Sequence, residues 1–238
     1  MAEFGNLVRE HLTQVEKHNA DALNNVAELF LGSIRAGGLV LTGGAGHSLA
    51  AVAETFYRAG GLACVYPLYH PDIQPLHGGR ASTSAERLTG LADEVFSKVE
   101  LSGNDVLVVF STSGVNPYPV ELAIAAQNAD MPVVAVTSSP ANAVAPRRAD
   151  TTLAENASIV LDTLVLPGDS SYPPEAPVTA ALSTVANAFL WAEILARLVD
   201  KAAEAGVEIP LWRSSNVPGG DEANQRYLDL YGPRVPQL

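Results

Sequence analysis

The chain has 238 residues, 47% of them hydrophobic and 17% charged, enough for one large or two small domains with a sizeable core. Its 14 Lys plus Arg stand against 26 Asp plus Glu, a formal net charge of −12, so the basic footprint of a nucleic-acid binder is missing. No run of about 18 apolar residues is present to span a membrane, Met1-Ala-Glu-Phe-Gly-Asn carries no signal segment, and the single Cys64 can form no internal disulfide; a soluble cytoplasmic protein is expected.

Apolar residues of 4–35, among them Leu7, Val15, Val26 and Phe30, fall mostly on one helical face. Asn19 and Asp21 can break the run into two helices, and Gly37-Gly38 ends it. Residues 39–41 predict a first strand, which runs into Thr42-Gly-Gly-Ala-Gly-His-Ser48 and a helix over 49–58. A second strand is expected over 62–66, with Cys64 buried in it as a small hydrophobe, then a polar loop over 67–84 and a helix over 86–99. Residues 106–110 are five apolar, largely β-branched side chains, which predicts a strand buried on both faces. A helix begins near Tyr118, a fourth strand follows over 133–137, and 158–166 has room for a fifth.

Gly168 opens a turn-rich loop, and a long helix is expected over 178–205, with Pro177 at its start and Gly206 at its stop. The tail, 207–238, has no regular pattern, yet Trp212, Tyr227, Leu230 and Tyr231 give it more apolar weight than a free end carries. We expect it to fold back over a pocket, its own or a partner subunit's. Strands alternating with helices predict a doubly wound parallel sheet of about five strands, in a single α/β domain spanning 1–238. It divides into N-terminal helices over 1–36, a core and long helix over 37–206, and the tail over 207–238.

The chemistry concentrates in two loops at strand ends, where such sheets bind ligands. Ser111, Thr112, Ser113 and Gly114 leave the third strand together and lead towards a helix start, so hydroxyls and unpaired N–H groups meet the positive end of a helix dipole, an arrangement suited to phosphate. One hydroxyl would meet the need for an N-cap; three exceed it. The first loop, Gly44-Ala-Gly46-His-Ser-Leu49, has leucine where a dinucleotide fingerprint has its third glycine, and no acidic residue ends the second strand. With no Gly-Lys-Ser/Thr either, a nucleotide or NAD cofactor is not expected.

Strand, Gly-x-Gly-x-Ser, helix, then strand, Ser-Thr-Ser-Gly, helix: this order resembles the sugar isomerase (SIS) domains, over nearly the whole chain. The resemblance implies a flavodoxin-like layering and a phosphosugar ligand, with phosphate on Ser111, Thr112 and Ser113 and the sugar near Ser48. The single-domain N-acetylmuramic acid 6-phosphate etherases are similar in having one glutamate in the first helix and another beyond a Gly-Gly pair, positions that Glu54 and Glu86 occupy here. The helix around Glu54 is shorter than in those enzymes, and its neighbours differ.

The candidate catalytic residues are therefore Glu54, Glu86, His47 and His77, and the candidate substrate-binding residues Gly46, Ser48, Ser111, Thr112, Ser113, Gly114, Asn116 and Ser138. Structural roles compete: Glu54 can pair with Arg58 four residues on, and Thr83 with Glu86 has capping-box spacing. His70, Asp72 and His77 lack the spacing of a metal site, and no metal is expected. The expected chemistry is proton abstraction at C2 of a sugar 6-phosphate. It leads to elimination on an N-acetylamino sugar 6-phosphate, or alternatively to aldose–ketose isomerisation; a non-catalytic phosphosugar sensor is the rival class. Surplus helices at both ends of the chain predict a symmetric homodimer.

Overall fold

The computed structural model describes residues 3–238. Five strands, β1 (Val40–Gly44), β2 (Val65–Pro67), β3 (Val106–Phe110), β4 (Val133–Thr137) and β5 (Ile159–Asp162), form one sheet in the order β2-β1-β3-β4-β5. Every pairing is parallel, and β1 lies in register with β3 from Val40↔Val106 to Gly44↔Phe110. Every residue of β1, β3 and β4 is buried, as in a parallel sheet covered on both faces.

α1 (Phe4–His18) and α2 (Ala20–Arg35) are separate helices, and Asn19 accounts for the break. Its buried amide donates to Val15 O and to Asp162 O, and its Oδ1 accepts the Asp162 N–H at 2.7 Å. A side chain thus caps α1 and pairs with the edge strand β5 at once, which suits an Asn better than a helix interior would. α2 then packs on α8 (Ser183–Ala205), where Phe30 meets Trp191 with ring centroids 5.8 Å apart.

Several boundaries differ from the sequence reading. α3 covers Leu49–Thr55 and stops before Arg58. The predicted loop over 67–84 contains a short helix, α4 (Gly79–Ala85), and the predicted helix over 86–99 shrinks to α5 (Leu91–Phe96). Gly90 explains the second change: its φ of 92° is a left-handed conformation that interrupts a helix. α6 spans Pro117–Asn128 and α7 Ser139–Val144. α8 starts at Ser183 rather than near Val178, because the carboxylate of Asp169 accepts the N–H groups of Leu182 and Ser183 and fixes the first turn there.

The tail is not irregular. It forms α9 (Gly220–Tyr231) and packs on the chain's own body. Leu62 and Ala63, expected in the second strand, pair instead with the tail: Leu62 bridges Leu211, and Ala63 N–H donates to Pro210 O at 2.8 Å. Trp212 and Tyr227 close over Ala63 in a small apolar cluster of their own. This contact lies ahead of β2, so the tail covers the end of the sheet opposite to the one where the strands deliver their loops. Cys64 is fully buried beside it, and burial pushes its thiol up to about 12, which leaves it inert. Among the described residues no helix is long and apolar enough to cross a membrane.

Candidate active site

The strand order reverses between β1 and β3: β2 lies to one side of β1, and β3, β4 and β5 to the other. The loops leaving β1 and β3 therefore diverge and open a crevice at the carboxyl end of the sheet. That crevice is a cleft of about 460 Å³ walled by Ala45, His47 and Ser48 after β1, by Ser111, Thr112, Ser113 and Asn116 after β3, and by Glu86. Ala141, Val144 and the 167–169 segment close its far side.

The loop after β3 is held by its carbonyls. Thr112 O accepts the Ser138 N–H, Ser113 O accepts the Asn142 amide, and Gly114 O accepts the Leu153 N–H. Gly114 N–H turns inward to Ser111 Oγ at 3.2 Å. Among the described residues no acceptor takes the N–H of Thr112 or Ser113. With carbonyls tied down and N–H groups and hydroxyls left free at the cleft, the loop is a concavity of donors, the arrangement that binds anions. Gly114 makes it possible: φ is 63°, and a Cβ there would sit 3.0 Å from Thr137 Oγ1.

Glu86 ends α4 and reaches the cleft from the side. Its Oε1 accepts the Asn116 amide at 2.9 Å, and the Asn116 Oδ1 accepts from Arg148 Nη1, also at 2.9 Å. Its Oε2 faces the first loop, 3.9 Å from where a Cβ on Gly46 would stand. Burial pushes the Glu86 carboxyl up from its ordinary value, and Arg87 and Arg148 pull the other way. A carboxyl poised in this way, next to a donor-lined loop, can move a proton on a ligand whose anionic end the loop holds. His47 is exposed at the same cleft, and Asp169, whose carboxylate accepts the Leu182 and Ser183 N–H groups, lies on its far side.

The sequence candidates are thus brought together only in part. His47, Ser48, Glu86, Ser111, Thr112, Ser113 and Asn116 line one cleft, with Gly46 and Gly114 shaping its two loops. Three others lie outside it, which corrects their expected placement. Glu54 sits far along α3 and pairs with Arg58 at 2.7 Å. His77 is exposed beside Pro71, whose carbonyl lies 3.2 Å from its Nδ1. Ser138 is fully buried and serves as the N-cap of α7: its hydroxyl donates to Val165 O and accepts the Ala141 N–H. The capping-box reading of Glu86 also fails, since Thr83 Oγ1 donates to Gly79 O within α4. Arg148 is the participant that sequence reasoning missed; Pro146-Arg147-Arg148 follows no periodic pattern that would have marked it.

A parallel sheet in flavodoxin order, with a donor-lined loop and a half-buried carboxyl at its switch point, defines a doubly wound α/β protein with a cleft at the carboxyl ends of its strands. The chain belongs to the SIS domain family, whose model matches residues 3–138. It is 33% identical to the UPF0309 protein of Geobacillus kaustophilus over 97% of this chain and 94% of that one. It is 37% identical to the UPF0309 protein of Streptomyces coelicolor over 94% and 92% of the two chains. In fold it is similar to the phosphoheptose isomerase of Neisseria gonorrhoeae, with a TM-score of 0.53 at 20% identity, covering 83% of this chain and 95% of that one.

Proposed function

We propose that this protein is an enzyme of phosphosugar metabolism that removes the C2 proton of a sugar 6-phosphate, and that its favoured reaction is 2,3-elimination on an N-acetylamino sugar 6-phosphate such as N-acetylglucosamine 6-phosphate. The observation that carries this reading is that Glu86 and the Ser111–Thr112–Ser113 loop line the same cleft. The loop takes the phosphate, and the six-carbon sugar extends from it towards Glu86. Glu86 is the base at C2. Burial pushes its carboxyl up, the direction that makes a carboxylate a stronger base.

Elimination also needs an acid to protonate the hydroxyl that leaves C3. With Glu54 outside the cleft, His47 takes that role, so the second acid/base group is a histidine and not a second glutamate. When C2 bears an acetamido group no ketone can form there, so the C2 carbanion either expels the C3 hydroxyl as water or takes a proton back on the other face, and elimination is the favoured outcome.

A second reading is aldose–ketose isomerisation. It is favoured by the presence of one glutamate at the cleft, because a single carboxylate can return the proton from C2 to C1. Incubation with N-acetylglucosamine 6-phosphate and with hexose 6-phosphates in heavy water separates the two. Elimination gives an unsaturated product lighter by one water; isomerisation gives deuterium in a product of otherwise unchanged composition. If no phosphosugar exchanges, isomerises or loses water, the protein is a sensor and the enzyme reading is wrong. A symmetric homodimer belongs to the same proposal, and light scattering that gives a monomer across the micromolar range would count against it.

A further inference from the structure

Asn116 occupies the N-cap position of α6, a place where asparagine normally spends its side chain on the helix's own N–H groups. It makes no such bond. Its side chain turns away, donating to Glu86 Oε1 and accepting from Arg148 Nη1. The helix is served instead by the backbone of Glu86, whose carbonyl accepts the Tyr118 N–H at 3.2 Å. Arg148 is fixed in turn by its own N–H, which donates to Val115 O. Three separate segments are therefore laced together around one carboxyl, at the expense of an ordinary helix cap.

We infer that Arg148 and Asn116 form a positioning relay that dictates which oxygen of Glu86 works in the cleft. This inference rests on the reading of Glu86 as the base. An arginine can only donate, so it selects Oδ1 of Asn116 as the acceptor and points the NH₂ group at Glu86. An NH₂ group can only donate, so Oε1 of Glu86 must accept and cannot carry a proton directed at Asn116. Any proton that Glu86 takes up sits on Oε2, the oxygen on the Gly46 side of the cleft. The relay fixes the proton's position without touching substrate. It also changes the reading of two residues. Asn116 is not a sugar ligand, and Arg148, the obvious cation to offer a phosphate, is committed to orienting a base.

The charged and titratable groups around Glu86 are Arg87 next to it in the chain, Arg148 across Asn116, His47 on the opposite wall, and Asp169 on the far side of the cleft, where it caps α8. In the wild-type protein without substrate, the side-chain NH₂ signals of Asn116 are expected to shift with pH at the midpoint of the Glu86 carboxyl ¹³C signal. Glu86→Gln should abolish that shift. Arg148→Met, at an exposed position where loss of fold is easily checked by melting, should raise the Glu86 midpoint and weaken the Asn116 response, and Arg148→Lys should restore part of both. With N-acetylglucosamine 6-phosphate as substrate, Arg148→Met should lower kcat by up to about 100-fold, the scale of a misplaced reacting group. KM and the Kd for inorganic phosphate should stay within about twofold. Loss of phosphate binding with an unmoved Glu86 midpoint would make Arg148 a phosphate ligand and overturn the relay. So would Asn116 signals that ignore the Glu86 titration. If the NMR coupling holds and Glu86→Gln still turns over fully, the relay stands and only the assignment of Glu86 as base is lost.

Discussion

Arg234 Nη2 lies 2.7 Å from Oδ2 of Asp105, joining the end of the chain to the head of β3. Asp105 is fully buried, and its carboxylate also accepts the N–H of Leu39 at 2.7 Å and of Ser102 at 2.8 Å. One carboxylate thus ties the entries of β1 and β3 to the tail. Nothing here reaches the cleft, so the tail's contribution within this chain is to stability.

Arg234→Met should destabilise the protein by roughly 1.5–3 kcal/mol, the usual worth of a hydrogen bond to a charged group. Asp105→Ala should cost more, because it strands the Leu39 and Ser102 N–H groups as well. Urea unfolding would read both. An Arg234→Met midpoint equal to wild type would mean that the tail is held without this ion pair, by its pairing with Leu62 and Ala63 and its Trp212 and Tyr227 contacts.

Ser113 and Ser111 separate ligand binding from loop structure. The Ser113 hydroxyl makes no bond within the described chain, whereas Ser111 Oγ accepts the Gly114 N–H. Ser113→Ala is expected to weaken a sugar phosphate by roughly 1.5–3 kcal/mol, about tenfold or more in Kd, with Tm unchanged. Ser111→Ala should lower both affinity and Tm. Calorimetry that finds equal wild-type affinity for the phosphorylated and unphosphorylated sugar would refute phosphate binding by this loop.

The sheet was legible because its signal is local. Val106–Phe110 is an unbroken apolar run and Val133–Thr137 is one up to its closing threonine, and both are strands at those bounds. The break at Asn19 was legible for the same reason. What misled was pairing between distant residues. Leu62 and Ala63 look like strand but bond to a tail about 150 positions later, and α8 begins where Asp169 caps it rather than where its apolar pattern starts. At the cleft, the Ser111–Gly114 loop was visible as composition. Glu54 and Glu86 were indistinguishable in sequence, since which of two glutamates faces a cleft depends on how α3 and α4 are set against the sheet. Arg148 was invisible because its meaning lies wholly in a contact with Asn116.

Glutamine substitutions distinguish those two glutamates. Glu54 and Arg58 form an exposed i,i+4 pair, worth less than about 1 kcal/mol, so Glu54→Gln should change Tm slightly and leave turnover alone. Glu86→Gln should lower kcat by roughly 10²–10⁴-fold, the span of a lost general base, with little change in binding. Stability should move in the opposite sense, and the sign follows from protons bound. The folded carboxyl is held above the ordinary value of 4.5, so in the window above 4.5 the native state binds more protons than the unfolded chain. Wild-type stability from this group is therefore full below that value and is lost as pH rises through the raised folded one. Glutamine has no proton to lose and keeps an oxygen to accept from Asn116. Relative to wild type, Glu86→Gln should gain Tm as pH rises above 4.5, and wild-type kcat/KM should climb as the base ionises. A Tm difference that stays flat with pH would mean that the carboxyl is not desolvated in the folded protein, and the case for Glu86 as a tuned base would fail with it.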